Sequence, residues 1–160
     1  MAYIATGNHD EALDIVQDTM LKLVQKYADK PNEEWPSLFI RILQSRIKDW
    51  YRRNQVRSKW RVFLKRDNAE EEEMNRLEQL AVDTTLEPAR TTKNQQAIEQ
   101  LDVAIRMLPL RQQQAFMLRV WEGLNEAETA EAMGCSKGSV KTHYSRAIHT
   151  LREKLEGVWP

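Results

Sequence analysis

A single cysteine, Cys135, stands among the 160 residues. No disulfide can form within the chain, and a reducing compartment is expected. Glycine and proline are scarce, at five each, which suits long helices and leaves few tight turns. No apolar run approaches the roughly 20 residues that cross a bilayer. The opening MAYIATGNHD lacks the basic start of a secretion signal. The expectation is a cytoplasmic protein with no membrane insertion. Catalytic signals are missing as well. No Gly-rich phosphate loop occurs, and His9, His143 and His149 are scattered along the chain. Cys135 has no partner at metal-ligand spacing, and no Ser/His/Asp order suggests a nucleophile. We therefore expect no enzyme, no metal, no cofactor and no small-molecule substrate.

Net charge is also absent, but only in the sum. Residues 1–66 hold 13 Lys/Arg against 8 Asp/Glu, residues 67–105 hold 3 against 10, and residues 106–160 hold 8 against 6. The order is basic, acidic, basic. Local fields decide binding, so a neutral total does not exclude a nucleic-acid partner.

The most informative stretch is Asn125–Leu155, NEAETAEAMGCSKGSVKTHYSRAIHTLREKL. Asn125 and Glu128 have the spacing of a capping box. Ala127, Ala130 and Met133 share one side of the helix that follows, and Gly134 supplies the left-handed residue that ends it. Ser136 caps a second helix, whose stripe is Val140, Tyr144, Ala147, Leu151 and Leu155. Its other face carries Lys137, Ser139, Lys141, Thr142, His143, Arg146 and His149, with no acid from Lys137 to Thr150. A capped helix, a glycine turn and a capped basic helix make a helix-turn-helix that can enter a major groove. A helical hairpin with a solvated face is the plainer alternative.

At the other end, Met1–Gly7 reads as a short helical tail, and Asn8 or Asp10 caps a helix that reaches about Asp29. Leu13, Val16, Met20, Leu23 and Tyr27 form its expected buried stripe. Asp14, Gln17, Asp18 and Lys22 lie off it, either as a wet face or as a docking face. Lys30-Pro31-Asn32 breaks the chain, and Pro36 suits a first helical turn. Phe39, Leu43, Ile47 and Trp50 then repeat at helical spacing to about Arg53, with a bent continuation to Lys65 open. From Arg41 to Arg66 there are ten basic residues and one acid, Asp49, interleaved with Trp50, Tyr51, Trp60 and Phe63. Cations hold phosphates and aromatic faces stack unpaired bases. The cluster as a whole points to nucleic acid, although each aromatic by itself is more simply core.

Residues 67–92 read as an acidic linker, with Glu70–Glu73 in a row and a helical piece at Met74–Leu80. A second helical unit starts near Thr92. It has a stripe of Ile98, Leu101, Ile105 and Leu108, a stop at Pro109, and a helix over Leu110–Trp121 carrying Ala115, Phe116, Leu118 and Val120. The expected fold is all-α: two small helical domains, 1–66 and 93–160, joined by the linker 67–92, the second being a four-helix domain with the helix-turn-helix.

These motifs resemble a bacterial RNA polymerase sigma factor of the extracytoplasmic-function (ECF) group. Leu108–Phe116, LPLRQQQAF, resembles the opening of the family's domain four, and Glu122-Gly123-Leu124 with GCSKGSVK at 134–141 resembles its helix-turn-helix. Ala12–Thr19, ALDIVQDT, resembles the segment that docks on the polymerase clamp helices. Ile42–Arg53, ILQSRIKDWYRR, resembles the segment that melts and reads the minus-ten element. Ser45 stands where the family often has Asn, and the further helix that the family usually has before Gly7 is expected to be absent.

The resemblance implies a sigma factor that binds core RNA polymerase and promoter DNA, with an anti-sigma factor as the usual regulator. It implies that Lys137, Ser139, Lys141, Thr142, His143 and Arg146 read the minus-thirty-five element. Arg46, Lys48, Asp49, Arg52, Arg53 and Arg57 serve the minus-ten region, and Asp14, Gln17 and Asp18 meet the polymerase. The competing expectation is a stand-alone helix-turn-helix regulator, a response-regulator-like output, which would bind a palindrome as a two-fold dimer.

Overall fold

The computed structural model describes residues 1–64 and 93–156, with side chains described for 1–56 and 95–156. The expected linker, its Met74–Leu80 piece, and the side chains of Arg57, Trp60 and Phe63 lie outside the described residues. Among the described residues seven α-helices form and no strand occurs: α1 (Ala2–Thr6), α2 (His9–Tyr27), α3 (Trp35–Leu64), α4 (Lys93–Arg106), α5 (Leu110–Phe116), α6 (Glu126–Met133) and α7 (Lys137–Lys154). The fold is all-α.

Local chemistry sets the boundaries. Gly7 takes φ 68° and ends α1, its N–H reaching the Tyr3 carbonyl at 2.8 Å. Asn8, rather than Asp10, caps α2 by accepting the Glu11 N–H at 3.0 Å. Helix α2 stops at Tyr27, two residues before the expected end, ahead of Pro31. A 3-10 turn at Asn32–Glu34 then leads into α3, with Pro36 in its first turn. Helix α3 runs unbroken to Leu64, past the point where the apolar repeat fades.

Two stripes differ from expectation. In α2 the buried residues are Ala12, Ile15, Thr19 and Leu23, whereas Leu13 is 46% and Met20 48% exposed. Helix α2 is apolar over a wide arc, and its neighbours cover only one side of it. Ala12 and Ile15 meet Ala2, Leu43 and Ile47, while Leu23 meets Leu38 and Ile42. In α4, Ala104 and Ile105 are buried, as is Leu108 just beyond it, and Ile98 is exposed at 64%, because the neighbouring helices cover only the C-terminal end. Those buried residues form a core with Met117, Ala147 and Leu151.

The helix expected over Leu110–Trp121 changes character halfway. Its second part, Met117–Trp121, is a π-turn, with the Glu122 N–H reaching the Met117 carbonyl at 3.1 Å. The wider turn keeps Met117 and Leu118 buried and leaves Val120 and Trp121 exposed. The two ends of the chain also share cores. Ile40 of α3 packs on the cluster of Ala115, Leu118, Ala130, Met133 and Val140, and Leu110 packs on that of Leu43 and Ile47.

The shifted stripe of α2 is tested by paired truncation. Ile15→Ala should cost about 2–5 kcal/mol in urea denaturation, as buried aliphatic truncations do. Leu13→Ala should cost under about 1 kcal/mol, because its side chain is half in water. Equal costs would return Leu13 to the core.

Candidate nucleic-acid interface

Helices α6 and α7 are built by their caps. The Asn125 side chain accepts from Ala127 N–H at 2.8 Å and Glu128 N–H at 3.0 Å, and Glu128 accepts the Asn125 N–H at 2.8 Å, closing the capping box. Gly134 takes φ 60°, ψ 49°, and the next N–H, that of Cys135, returns to the Ala130 carbonyl at 3.0 Å. A side chain at Gly134 would be strained by that φ alone. Ser136 then caps α7, accepting the Ser139 N–H at 3.1 Å. Between α6 and α7, Ala130 and Met133 pack with Val140. Ala127, expected on the same side, is exposed instead, and Thr129 is buried with its hydroxyl donating to the Asn125 carbonyl at 2.7 Å.

The stripe of α7 faces inward as expected: Val140, Ala147 and Leu151 are buried, and Tyr144 and Leu155 half-buried. Lys137, Lys141, Thr142 and Arg146 are exposed, while Ser139 and His143 are half-buried. Lys141 lies 3.6 Å from Glu126, and Thr142 donates to the Gly138 carbonyl at 3.0 Å. Burial first, then the Arg111 and Arg146 guanidinium groups, hold the His143 imidazole below its usual protonation range. His143 is therefore a neutral ring near pH 7, and the cations on this face are Lys137, Lys141 and Arg146.

Arg111 is a residue the pattern did not single out. Its Nη1 donates to the Met133 carbonyl at 2.9 Å, satisfying the last turn of α6 from α5. Arg119 does the same for the Leu124 carbonyl just before α6 and lies over the Tyr144 ring. An arginine in a helix has no period to announce such a partner.

In α3, Arg52 and Arg53 are exposed, Arg46, Lys48 and Asp49 are half-buried, and Asp49 pairs with Arg52. Trp50 packs on the Leu43–Ile47 core. Arg53 and Asn54 also line a groove whose other wall is Glu11, Asp14, Gln17 and Asp18 of α2. Two residue sets that the sequence keeps far apart thus share one groove, with carboxylates facing a guanidinium. The Arg46 Nε is buried and has no hydrogen-bond partner among the described residues.

Fold and surface define an all-α protein with a helix-turn-helix and a second basic helix. The family described as Sigma-70 region 2 matches residues 1–57, and that described as Sigma-70, region 4 matches residues 98–151. The two matches together span more than half of the chain, which belongs to the sigma-70 family of RNA polymerase sigma factors. The ECF RNA polymerase sigma factor BldN of Streptomyces coelicolor is 26% identical over 155 residues, covering 96% of this chain and 54% of the relative. The chain thus spans about half the length of that relative. The RNA polymerase sigma-E factor of Streptomyces antibioticus is 43% identical over 53 residues, 33% of this chain and 29% of the relative. The sigma factor RpoE of Bartonella quintana, solved with the anti-sigma factor NepR, aligns with TM-score 0.57 and 26% identity over 97% of this chain and 87% of that one. Among the described residues, no helix is long and apolar enough to cross a membrane, and no group of three His, Cys, Asp or Glu is placed to hold a metal.

The surface of α7 can be tested directly. Lys141→Ala or Arg146→Ala should weaken promoter binding by about 1–3 kcal/mol if the side chain reaches a base edge, measured by titration of labelled promoter with the polymerase-bound protein. Unchanged affinity would remove that residue from the interface.

Proposed function

We propose that the protein is a promoter-specificity factor. It joins core RNA polymerase, recognises the minus-thirty-five and minus-ten elements, and helps open the DNA for transcription initiation. The observation that carries this reading is the presence in one chain of two basic helices, α3 and α7, each lying for most of its length within a match to one sigma-70 region. Such a factor supplies recognition rather than bond chemistry, and it works where the polymerase is, in the cytoplasm.

In this reading α7 enters the major groove by its N-terminal half, so Lys137, Ser139, Lys141, Thr142, His143 and Arg146 face base edges and phosphates of duplex DNA. Arg46, Lys48, Asp49, Arg52, Arg53 and Arg57 on α3 serve the minus-ten region. Unstacking a base costs a few kcal/mol, and phosphate contacts and stacking offset it. The domains are those read from the sequence: a region-two domain over 1–66, an acidic connection over 67–92, and a region-four domain over 93–160.

The polymerase-binding face is α2. Asp14, Gln17 and Asp18 line its groove, and Leu13, Met20, Leu21 and Val24 are each about half exposed. Half-exposed apolar side chains beside carboxylates suit a helical partner with apolar and basic residues. A structural relative is held by the anti-sigma factor NepR, and a regulator of that class is the expected antagonist here.

Run-off transcription with bacterial core polymerase on fragmented genomic DNA tests the reading. New transcripts sharing a spaced pair of upstream elements are expected only when the protein is added. A two-fold dimer that binds a palindrome tightly without polymerase would favour the stand-alone regulator. Asp14→Ala with Gln17→Ala should lower polymerase affinity about tenfold or more at unchanged helical content, read by competition against the wild-type protein. A loss of helical content would make these residues structural.

A further inference from the structure

One acid reaches the basic face of α7. Glu126, the first residue of α6, holds its carboxylate 3.6 Å from the Lys141 ammonium. Among the described residues Lys137 and Arg146, the other two cations of that face, make no ion pair. The pair joins the two helices of the helix-turn-helix across their polar side. Its side chains are 66% exposed at Lys141 and 42% at Glu126. At that exposure an ion pair adds little to stability. Its consequence lies in where the ammonium sits and in how much net charge the face presents.

The start of α6 is poor in anion affinity for a second reason. A helix N-terminus ordinarily offers free N–H groups and the positive end of its dipole to a phosphate. Here the Asn125 side chain already accepts the Ala127 and Glu128 N–H groups at 2.8 and 3.0 Å. Glu126 and Glu128 place two carboxylates in the first turn. When a helix-turn-helix docks, its first helix crosses the DNA backbone while its second enters the groove. Carboxylates at the start of α6 then repel the phosphates they approach.

The two kinds of DNA contact respond differently to such a pair. Phosphate binding is driven by net positive charge, which releases counterions from the duplex. Lys141 with Glu126 is neutral as a unit, so it adds little to that force. A phosphate drawn to the ammonium would also stand beside the carboxylate and be repelled. A base edge is uncharged and meets no such repulsion. The ammonium has three N–H donors and no acceptor, so it can keep the carboxylate on one and donate another to an acceptor in the major groove. Phosphate contacts carry no sequence information, whereas base contacts do. The pair thus weakens the sequence-blind contact and spares the sequence-reading one.

We propose that Glu126 is a specificity-determining positioning residue, which cancels the phosphate attraction of Lys141 and reserves its ammonium for a base edge. The proposal rests on the promoter-specificity reading, and the two can fail separately. The full chain, bound to core polymerase, is titrated over a range of salt concentrations. One labelled duplex is the promoter recovered by run-off transcription, and the other is the same duplex with its minus-thirty-five element scrambled. Glu126→Gln should raise affinity for the scrambled duplex about threefold to tenfold and steepen the salt dependence by about one phosphate contact. Promoter affinity should change less, so selectivity falls several-fold at unchanged helical content. Glu126→Asp, which keeps the charge, should restore most of the selectivity. In a Lys141→Met background, Glu126→Gln should leave the ratio of the two affinities where it was. Equal gains on both duplexes would make Glu126 a plain repulsive charge and overturn the proposal. So would a ratio that still falls without Lys141, or a loss of helical content in Glu126→Gln. A wild-type protein that joins polymerase but binds both duplexes alike, or never joins it, would refute the promoter-specificity reading itself and the proposal with it.

Discussion

Helix α3 has to bury apolar side chains on more than one side at once, and the rest of the architecture follows from that constraint. Leu38 and Ile42 meet Leu23 near its start. Leu43 and Ile47 meet Ala12 and Ile15 further along. Ile40 faces the other way, into the core of α6 and α7. A helix with apolar residues spread around its circumference cannot be satisfied by one neighbour, since an uncovered aliphatic side chain forgoes about 1.5–3 kcal/mol of burial. Helix α3 is thus a spine for α2 on one side and for the helix-turn-helix on another.

The surface available for DNA depends on much smaller interactions. The relation of α6 to α7 rests on a capping box, one left-handed glycine, one serine cap and the Arg111 bond to Met133. Each cap contributes about 1 kcal/mol, yet together they decide which way Lys137, Lys141 and Arg146 point. The core beneath them, Ala130 with Met133 and Val140, keeps the two helices at one spacing. Affinity for phosphate would come from the cations, and the fidelity of their placement from the caps and this core.

Much of the site was legible. The capping box at Asn125–Glu128, the turn at Gly134 and the stripe from Val140 to Leu155 appear where their residues put them, because caps and periodicity are local. The α2 stripe was misread at two positions, Leu13 and Met20, whereas Leu23 is buried and Val16 and Tyr27 pack on the cores as expected. Leu13 and Met20 repeat at helical spacing as well as Ala12, Ile15 and Thr19 do, and spacing alone cannot rank two adjacent stripes. Thr19 and Thr129 are fully buried with their hydroxyls bonded to the carbonyls of Ile15 and Asn125. A polar letter conceals such positions from any apolar count. The glutamines at 113 and 114 were hidden in the same way.

By itself the sequence determined the helical class, the order of the helices, most of their ends, and the split of charge into two basic stretches and an acidic one. All of these arise from interactions within a few residues: caps, glycine turns, proline breaks and the 3.6-residue period. Only the tertiary structure decided which side of α2 is covered, that Asp14, Gln17 and Asp18 share a groove with Arg53, and that Gln44 meets Gln114 across 70 residues. Those facts depend on which helix lies against which. Packing of that kind is settled by shape and burial between residues far apart in the chain, for which a linear pattern carries no local mark.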